Sequence, residues 1–145
     1  ESAPFWYWVY VRHGELDLSG CSELTELWCA YNRISSVNVS GCNKLELLSC
    51  SDDPLNDSLD LSECSSLSEL YCSNCGLTEL PLSELPSLTV LEFNGNSISQ
   101  LDLTVCPLLE KVVLYYMELE YLNASGLANL LWLDVSGCGL DTLEI

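Results

Sequence analysis

Residues 24–44 read LTELWCAYNRISSVNVSGCNK, and variants of this stretch recur down the rest of the chain. Segments starting at Leu45, Leu67, Leu88, Leu109 and Leu130 follow Leu24 at spacings of 21, 22, 21, 21 and 21 residues. They read LELLSCSDDPLNDSLDLSECSS, LSELYCSNCGLTELPLSELPS, LTVLEFNGNSISQLDLTVCPL, LEKVVLYYMELEYLNASGLAN and the shorter LLWLDVSGCGLDTLEI. Counted from the first Leu, apolar residues return at positions 1, 4, 6, 9, 11, 14, 16 and 19. Neither a helical nor a simple alternating period accounts for that set over a whole unit. A coil that closes once per unit, with those side chains turned inward, does account for it.

Within a unit, positions 3 to 7 alternate outward and inward, as in Glu26-Leu27-Trp28-Cys29-Ala30. Alternation of this kind predicts a strand. Repeating it every turn stacks the strands in parallel at about 4.8 Å, so six coils span roughly 25 Å. Position 9 carries Asn32, Asp53, Cys75, Asn96, Met117 and Cys138. A polar side chain there can hydrogen-bond the backbone of the tight turn leaving the strand. The return segments, such as SSVNVSGCNK, are too short and too rich in Ser, Gly and Pro for a long helix, so short 3-10 or irregular turns are expected.

The strand motif LxxLxLxxN/CxL is matched by LTELWCAYNRI and LTVLEFNGNSI, and the chain resembles the leucine-rich-repeat family over about residues 16–145. Cys29, Cys50 and Cys72 at position 6, followed by a VxVSxC-type return, resemble the bacterial internalin J-like subgroup, in which Cys replaces a strand Leu. Later units depart from that subgroup, with Phe93, Leu114 and Val135 at the same position. The resemblance implies an α/β repeat fold: a right-handed solenoid with a concave parallel sheet used for macromolecular recognition. It also implies an exported, surface-anchored bacterial protein, whose targeting segment this chain lacks. Residues 16–145 then form one solenoid domain of about six coils, behind a cap strand within residues 1–15. The cap is read in FWYWVYV, Phe5 to Val11, where both alternating sets are apolar. One of its aromatic faces could instead extend the binding surface. At the other end Ile145 falls at position 16, with no polar capping segment after it.

Composition narrows the function. The chain has 145 residues, 48% of them hydrophobic, with 22 Asp and Glu against 4 Lys and Arg and a net charge of −18. That charge excludes a simple nucleic-acid binder and disfavours an anionic membrane surface. No run approaches the roughly 20 apolar residues of a bilayer span. Nine Cys would ordinarily suggest a disulfide framework. All nine fall on inward positions of the repeat, where free Cys acts as a small buried hydrophobe. The pair Cys72 and Cys75 forms a C-x-x-C, but no second pair or His lies near it in register for a metal.

Enzyme signatures are thin. There is no GxSxG, HExxH, P-loop or GxGxxG, and the lone His13 reads as a surface or cap residue. Asp52, Asp53, Asp57 and Asp60 lie in the only 22-residue unit, and carboxylate oxygens there could hold calcium. Their spacing is not that of an EF-hand, and solvated loop acids are the plain reading. No cofactor, metal or catalytic residue is expected.

Function is expected on the outward face of the strands. Position 3 presents Glu26, Glu69 and Trp132, and position 5 presents Trp28, Tyr71, Glu92 and Asp134. Just past the strands stand Tyr31, Tyr115 and Tyr116. Outward aromatics are costly to leave wet and are favoured anchors of interfaces, and the acids favour a basic partner. The expectation is a non-enzymatic, monomeric binding module for a protein at the cell surface. A glycan-binding module, or a passive spacer in a longer surface protein, is the alternative.

Overall fold

The computed structural model describes residues 14–145, so the Phe5–Val11 segment and His13 lie outside the described residues. Positions 3 to 5 of each unit form a short strand: β2 (Glu26–Trp28), β4 (Leu47–Ser49), β6 (Glu69–Tyr71), β7 (Val90–Glu92), β9 (Lys111–Val113) and β11 (Trp132–Asp134). They pair in parallel in the order β2-β4-β6-β7-β9-β11, with equivalent residues of successive coils directly opposite. The result is a parallel-strand solenoid with one coil per repeat.

The return side is more ordered than a set of irregular turns. It carries strands of its own: β1 (Gly14–Asp17), β3 (Ile34–Asn38) and β5 (Leu59–Asp60) form one parallel sheet. A second comprises β8 (Gln100–Asp102), β10 (Tyr121–Asn123) and β12 (Thr142–Glu144). The break between them falls in the third coil, at Pro81. Proline has no backbone N–H to give a ladder, and here it precedes the one 3-10 turn of the described residues, Leu82–Glu84. Five of the other return segments share a small signature, Asp or Asn followed two residues later by Ser or Thr. The carboxylate or amide of Asp17, Asn38, Asp60, Asp102 and Asn123 accepts the backbone N–H two residues on, closing the corner after each strand.

The core is the stack of inward columns. Positions 1 and 4 are filled by Leu45, Leu67, Leu88, Leu109 and by Leu27, Leu48, Leu70, Leu91, Val112, all inaccessible to solvent. Cys29, Cys50 and Cys72 stand one above another at position 6, continued by Phe93 and Leu114. All nine cysteines are free thiols and eight are buried, but Cys21 is exposed, against the expectation that every thiol is covered. Its equivalents Cys42 and Cys64 have a described coil on both sides, whereas Cys21 is in the first described return segment with a described coil on one side only.

Every coil leaves its strand through a left-handed residue at position 8, whether Tyr31, Asp52, Asn74, Gly95, Tyr116 or Gly137, with φ between 55° and 70°. That conformation suits Gly and Asn and costs a Tyr of order 1 kcal/mol. Gly137 is required for a second reason: a Cβ there would lie 2.8 Å from Cδ1 of the Tyr116 ring in the coil before.

Candidate functional site

All ten residues proposed from the sequence lie on the six-stranded sheet or in the turns directly after its strands. Glu26 and Trp28 belong to β2, Glu69 and Tyr71 to β6, Glu92 to β7, Trp132 and Asp134 to β11. Tyr31, Tyr115 and Tyr116 follow β2 and β9. The period-two alternation decides this: within three-residue strands the middle residue is buried in the core, and the two flanking residues share the other face.

The structure gathers these residues into three groups. The first is Glu26, Trp28, Glu69 and Tyr71. The Trp28 indole N–H donates to Glu26 Oε2 at 3.2 Å, and the Tyr71 hydroxyl donates to Glu69 Oε2 at 2.7 Å. The two rings are 6.5 Å apart at their centroids, with planes inclined by 20°. Their strands are separated by β4, about 9.6 Å for two strand spacings. Both rings therefore lean over Ser49 of β4, which ends up buried. Half-burial and the neighbouring Glu69 carboxylate push the Tyr71 hydroxyl well above its ordinary range, so it stays a neutral donor.

The second group is Glu92 with Lys111 of β9, an ion pair at 2.6 Å, and beyond it Trp132, 59% exposed. Val90, Lys111, Leu131 and Trp132 line a shallow open depression there. The third is the aromatic edge. Tyr115 and Tyr116 meet edge to face at 5.6 Å, and Tyr116 is 78% exposed. Tyr31 lies several coils away, 79% exposed, with its hydroxyl pushed up by Asp52 beside it. Asp134 caps its own turn by accepting the Ser136 N–H at 3.0 Å, and the Ser136 hydroxyl and N–H together hold its carboxyl below the usual range.

Leu47 of β4 and Val113 of β9 hold the equivalent positions 3 and 5 of their coils but are buried. The acids of the long second unit do not converge. Asp57 accepts both the Thr78 N–H and hydroxyl, Asp60 the Ser62 N–H, and Asp53 is in the core. Among the described residues no group of three or more His, Cys, Asp or Glu side chains is arranged to hold a metal ion, and no helix is long and apolar enough to cross a membrane.

Residues 65–116, the third and fourth coils with their borders, match the family described as Leucine Rich repeats (2 copies). The solenoid of parallel strands extends the same repeat through the described residues on either side. The chain has the fold of a leucine-rich-repeat solenoid. Among solved structures it is similar to a functional domain of InlJ from Listeria monocytogenes, one that includes a cysteine ladder. The TM-score is 0.67 at 23% identity, over 86% of this chain and 32% of that one. The solenoid thus spans about a third of the structure it matches, and the likeness is one of fold. No curated protein matches the sequence.

Proposed function

We propose that this solenoid is a non-enzymatic binding module that docks a protein partner on the outward face of its six-stranded sheet. The observation that carries the reading is an asymmetry of aromatic side chains. Apart from the core residue Phe93, the described chain has seven Trp and Tyr residues. Trp28, Tyr31, Tyr71, Tyr115, Tyr116 and Trp132 all belong to the six-stranded face and its turns, and only Tyr121 lies on the return side. Folding alone needs no such bias, because either face could be solvated with the Ser, Asp and Asn found on the return strands. Trp and Tyr are the side chains that anchor interfaces. The charge of −18 favours a basic partner, drawn in by long-range attraction that salt would weaken.

We also propose an extracellular or cell-surface location in a bacterium, supported by the Cys-bearing repeat and by the likeness to the Listeria domain. Shaving intact cells with a protease tests it: surface protein is removed, and full protection would overturn the assignment.

The binding reading is tested by placing a photoreactive amino acid at Trp132, and separately at Ser62 on the return side. Cross-linking to one identified protein from Trp132 alone is the expected result. Equal cross-linking from both positions would overturn it. Retardation of the chain in native gels containing polysaccharide, with no protein cross-link, would move the assignment to a glycan.

A further inference from the structure

The group around Trp28 and Tyr71 is more specific than a general interface needs. The same acid and aromatic pair occurs twice, on β2 and on β6, either side of a middle strand that offers only Leu47 and Ser49 to this face. Each carboxylate uses one oxygen, Oε2, to hold the polar edge of its own aromatic ring. Neither Glu26 nor Glu69 forms an ion pair with a Lys or Arg among the described residues, in contrast to Glu92 on the next strand, which holds Lys111 at 2.6 Å. Among the described residues no cation neutralises these two half-buried carboxylates, which stand next to two aromatic faces. Donation of the indole N–H and the phenol O–H to carboxylates makes both ring faces more electron-rich. Charge and ring quadrupole both attract a cation to the same spot.

The shape of the site selects among cations. An ammonium is a compact, strongly hydrated point charge, whereas a guanidinium is flat, weakly hydrated and carries donors along its edge. A flat group can lie against a ring while its edge N–H groups reach the remaining carboxylate oxygens. We propose that Glu26, Trp28, Glu69 and Tyr71 form a clamp for one arginine side chain of the partner protein. The clamp rests on the reading of this sheet face as a protein-binding surface and names the chemistry it recognises there.

The test is an NMR titration with three capped tripeptides, Gly-Arg-Gly, Gly-Lys-Gly and Gly-citrulline-Gly. The probe is the Trp28 indole N–H resonance, identified by its loss in Trp28→Phe. The arginine peptide should shift that resonance saturably while leaving the Trp132 indole in place. The lysine peptide should bind several-fold more weakly, and the uncharged citrulline peptide should have no effect. Glu26→Gln with Glu69→Gln should weaken arginine binding about tenfold or more with an unchanged melting temperature, while Asp141→Asn should not. Equal binding of citrulline and arginine would overturn the clamp. So would an unaltered titration in the double Gln variant, or equal shifts at Trp28 and Trp132. A failed titration alongside intact cross-linking from Trp132 rejects the clamp and keeps the binding face. A good titration with no cross-link rejects the face as a protein surface.

Discussion

The second and fourth coils fill the same slot with different chemistry. In the fourth coil Asn96 occupies position 9 and satisfies all of its neighbours. Its Oδ1 accepts the N–H groups of Cys75 and Leu77, and its Nδ2 donates to the carbonyls of Cys72 and Phe93. In the second coil Asp53 takes that place. Its Oδ1 accepts the N–H groups of Asn32 and Ile34 in the same register, at 2.8 and 2.9 Å. Its Oδ2 is buried with no partner. The register sets it where Asn96 donates, toward the carbonyls of Cys29 and Cys50. Two acceptors facing an ionised oxygen repel it, whereas a protonated oxygen could donate to one of them. Burial accordingly pushes the Asp53 carboxyl up, against the backbone N–H groups of Ile34, Asn32 and Arg33 that pull it down, with the charge of Asp52 adding to the rise. A thiol solves the same problem elsewhere: at position 9 Cys138 donates its S–H to the Leu114 carbonyl at 2.8 Å. Asp53 Oδ1 thus serves the same two N–H groups as Asn96 Oδ1, while its Oδ2 has nothing to match the donor that Asn96 supplies through Nδ2.

The largest difference between the coils should come from position 6. Phe93→Ala should cost about 3–5 kcal/mol in denaturant unfolding, and Cys50→Ala only about 1–2 kcal/mol, because far less buried volume is lost. Equal costs would mean that the fourth coil collapses around the lost ring and is packed less tightly than the second.

Next comes the slot itself. Asn96→Asp should destabilise by about 1–3 kcal/mol at pH 7, since it recreates in the fourth coil the unsatisfied oxygen of the second. Asp53→Asn should do the reverse, adding about 1 kcal/mol. Its effect must depend on pH in a definite direction. The unfolded carboxyl titrates near its ordinary value of 3.8 and the folded one higher, so the folded chain keeps its proton longer. The stability due to Asp53 is therefore full below the unfolded value, falls as pH rises to the folded value, and is level above it. Asp57, Asp60 and Asp102, whose carboxyls are lowered by N–H and hydroxyl donors, slope the other way as pH falls. The difference between Asp53→Asn and the unaltered chain isolates the one group. A difference that stays constant from pH 3 to pH 8 would contradict the raised Asp53 carboxyl.

The smallest effect is kinetic. Cys21 should react with a maleimide at once in the native chain, and the eight buried thiols slowly, through local opening. Burial pushes Cys29 up to about 12 and Cys106 up to about 11, so neither offers much thiolate. Cys29 and Cys50, which border the Asp53 slot, should still label ahead of Cys106, and Asp53→Asn should narrow that gap. Mass spectrometry of timed samples reads the order directly.

Much of this was legible in the residues. The recurrence of Leu24, Leu45, Leu67, Leu88, Leu109 and Leu130 sets the coil, because only a chain closing once per unit keeps those positions inside. Alternation within Glu26-Leu27-Trp28 sets which side chains reach the open face. The return strands were also written in the sequence, as the recurring Asp or Asn two residues before Ser or Thr, but their meaning depends on strands that lie side by side only after coiling. Pro81 announces the break between the two return sheets for a reason visible in one residue, its missing N–H.

What the sequence determined alone is therefore the periodic part: coil length, inward columns and the face that carries the aromatics. These follow from local rules applied repeatedly, and each coil obeys them without reference to the others. The tertiary structure decided everything that needs two coils at once. It leaned Trp28 and Tyr71 together over Ser49, gave Glu92 a cation while leaving Glu26 and Glu69 without one among the described residues, and left Asp53 short of one partner. Residues 21 or more positions apart meet only through stacking, and one chain segment carries no record of what its neighbour will bring.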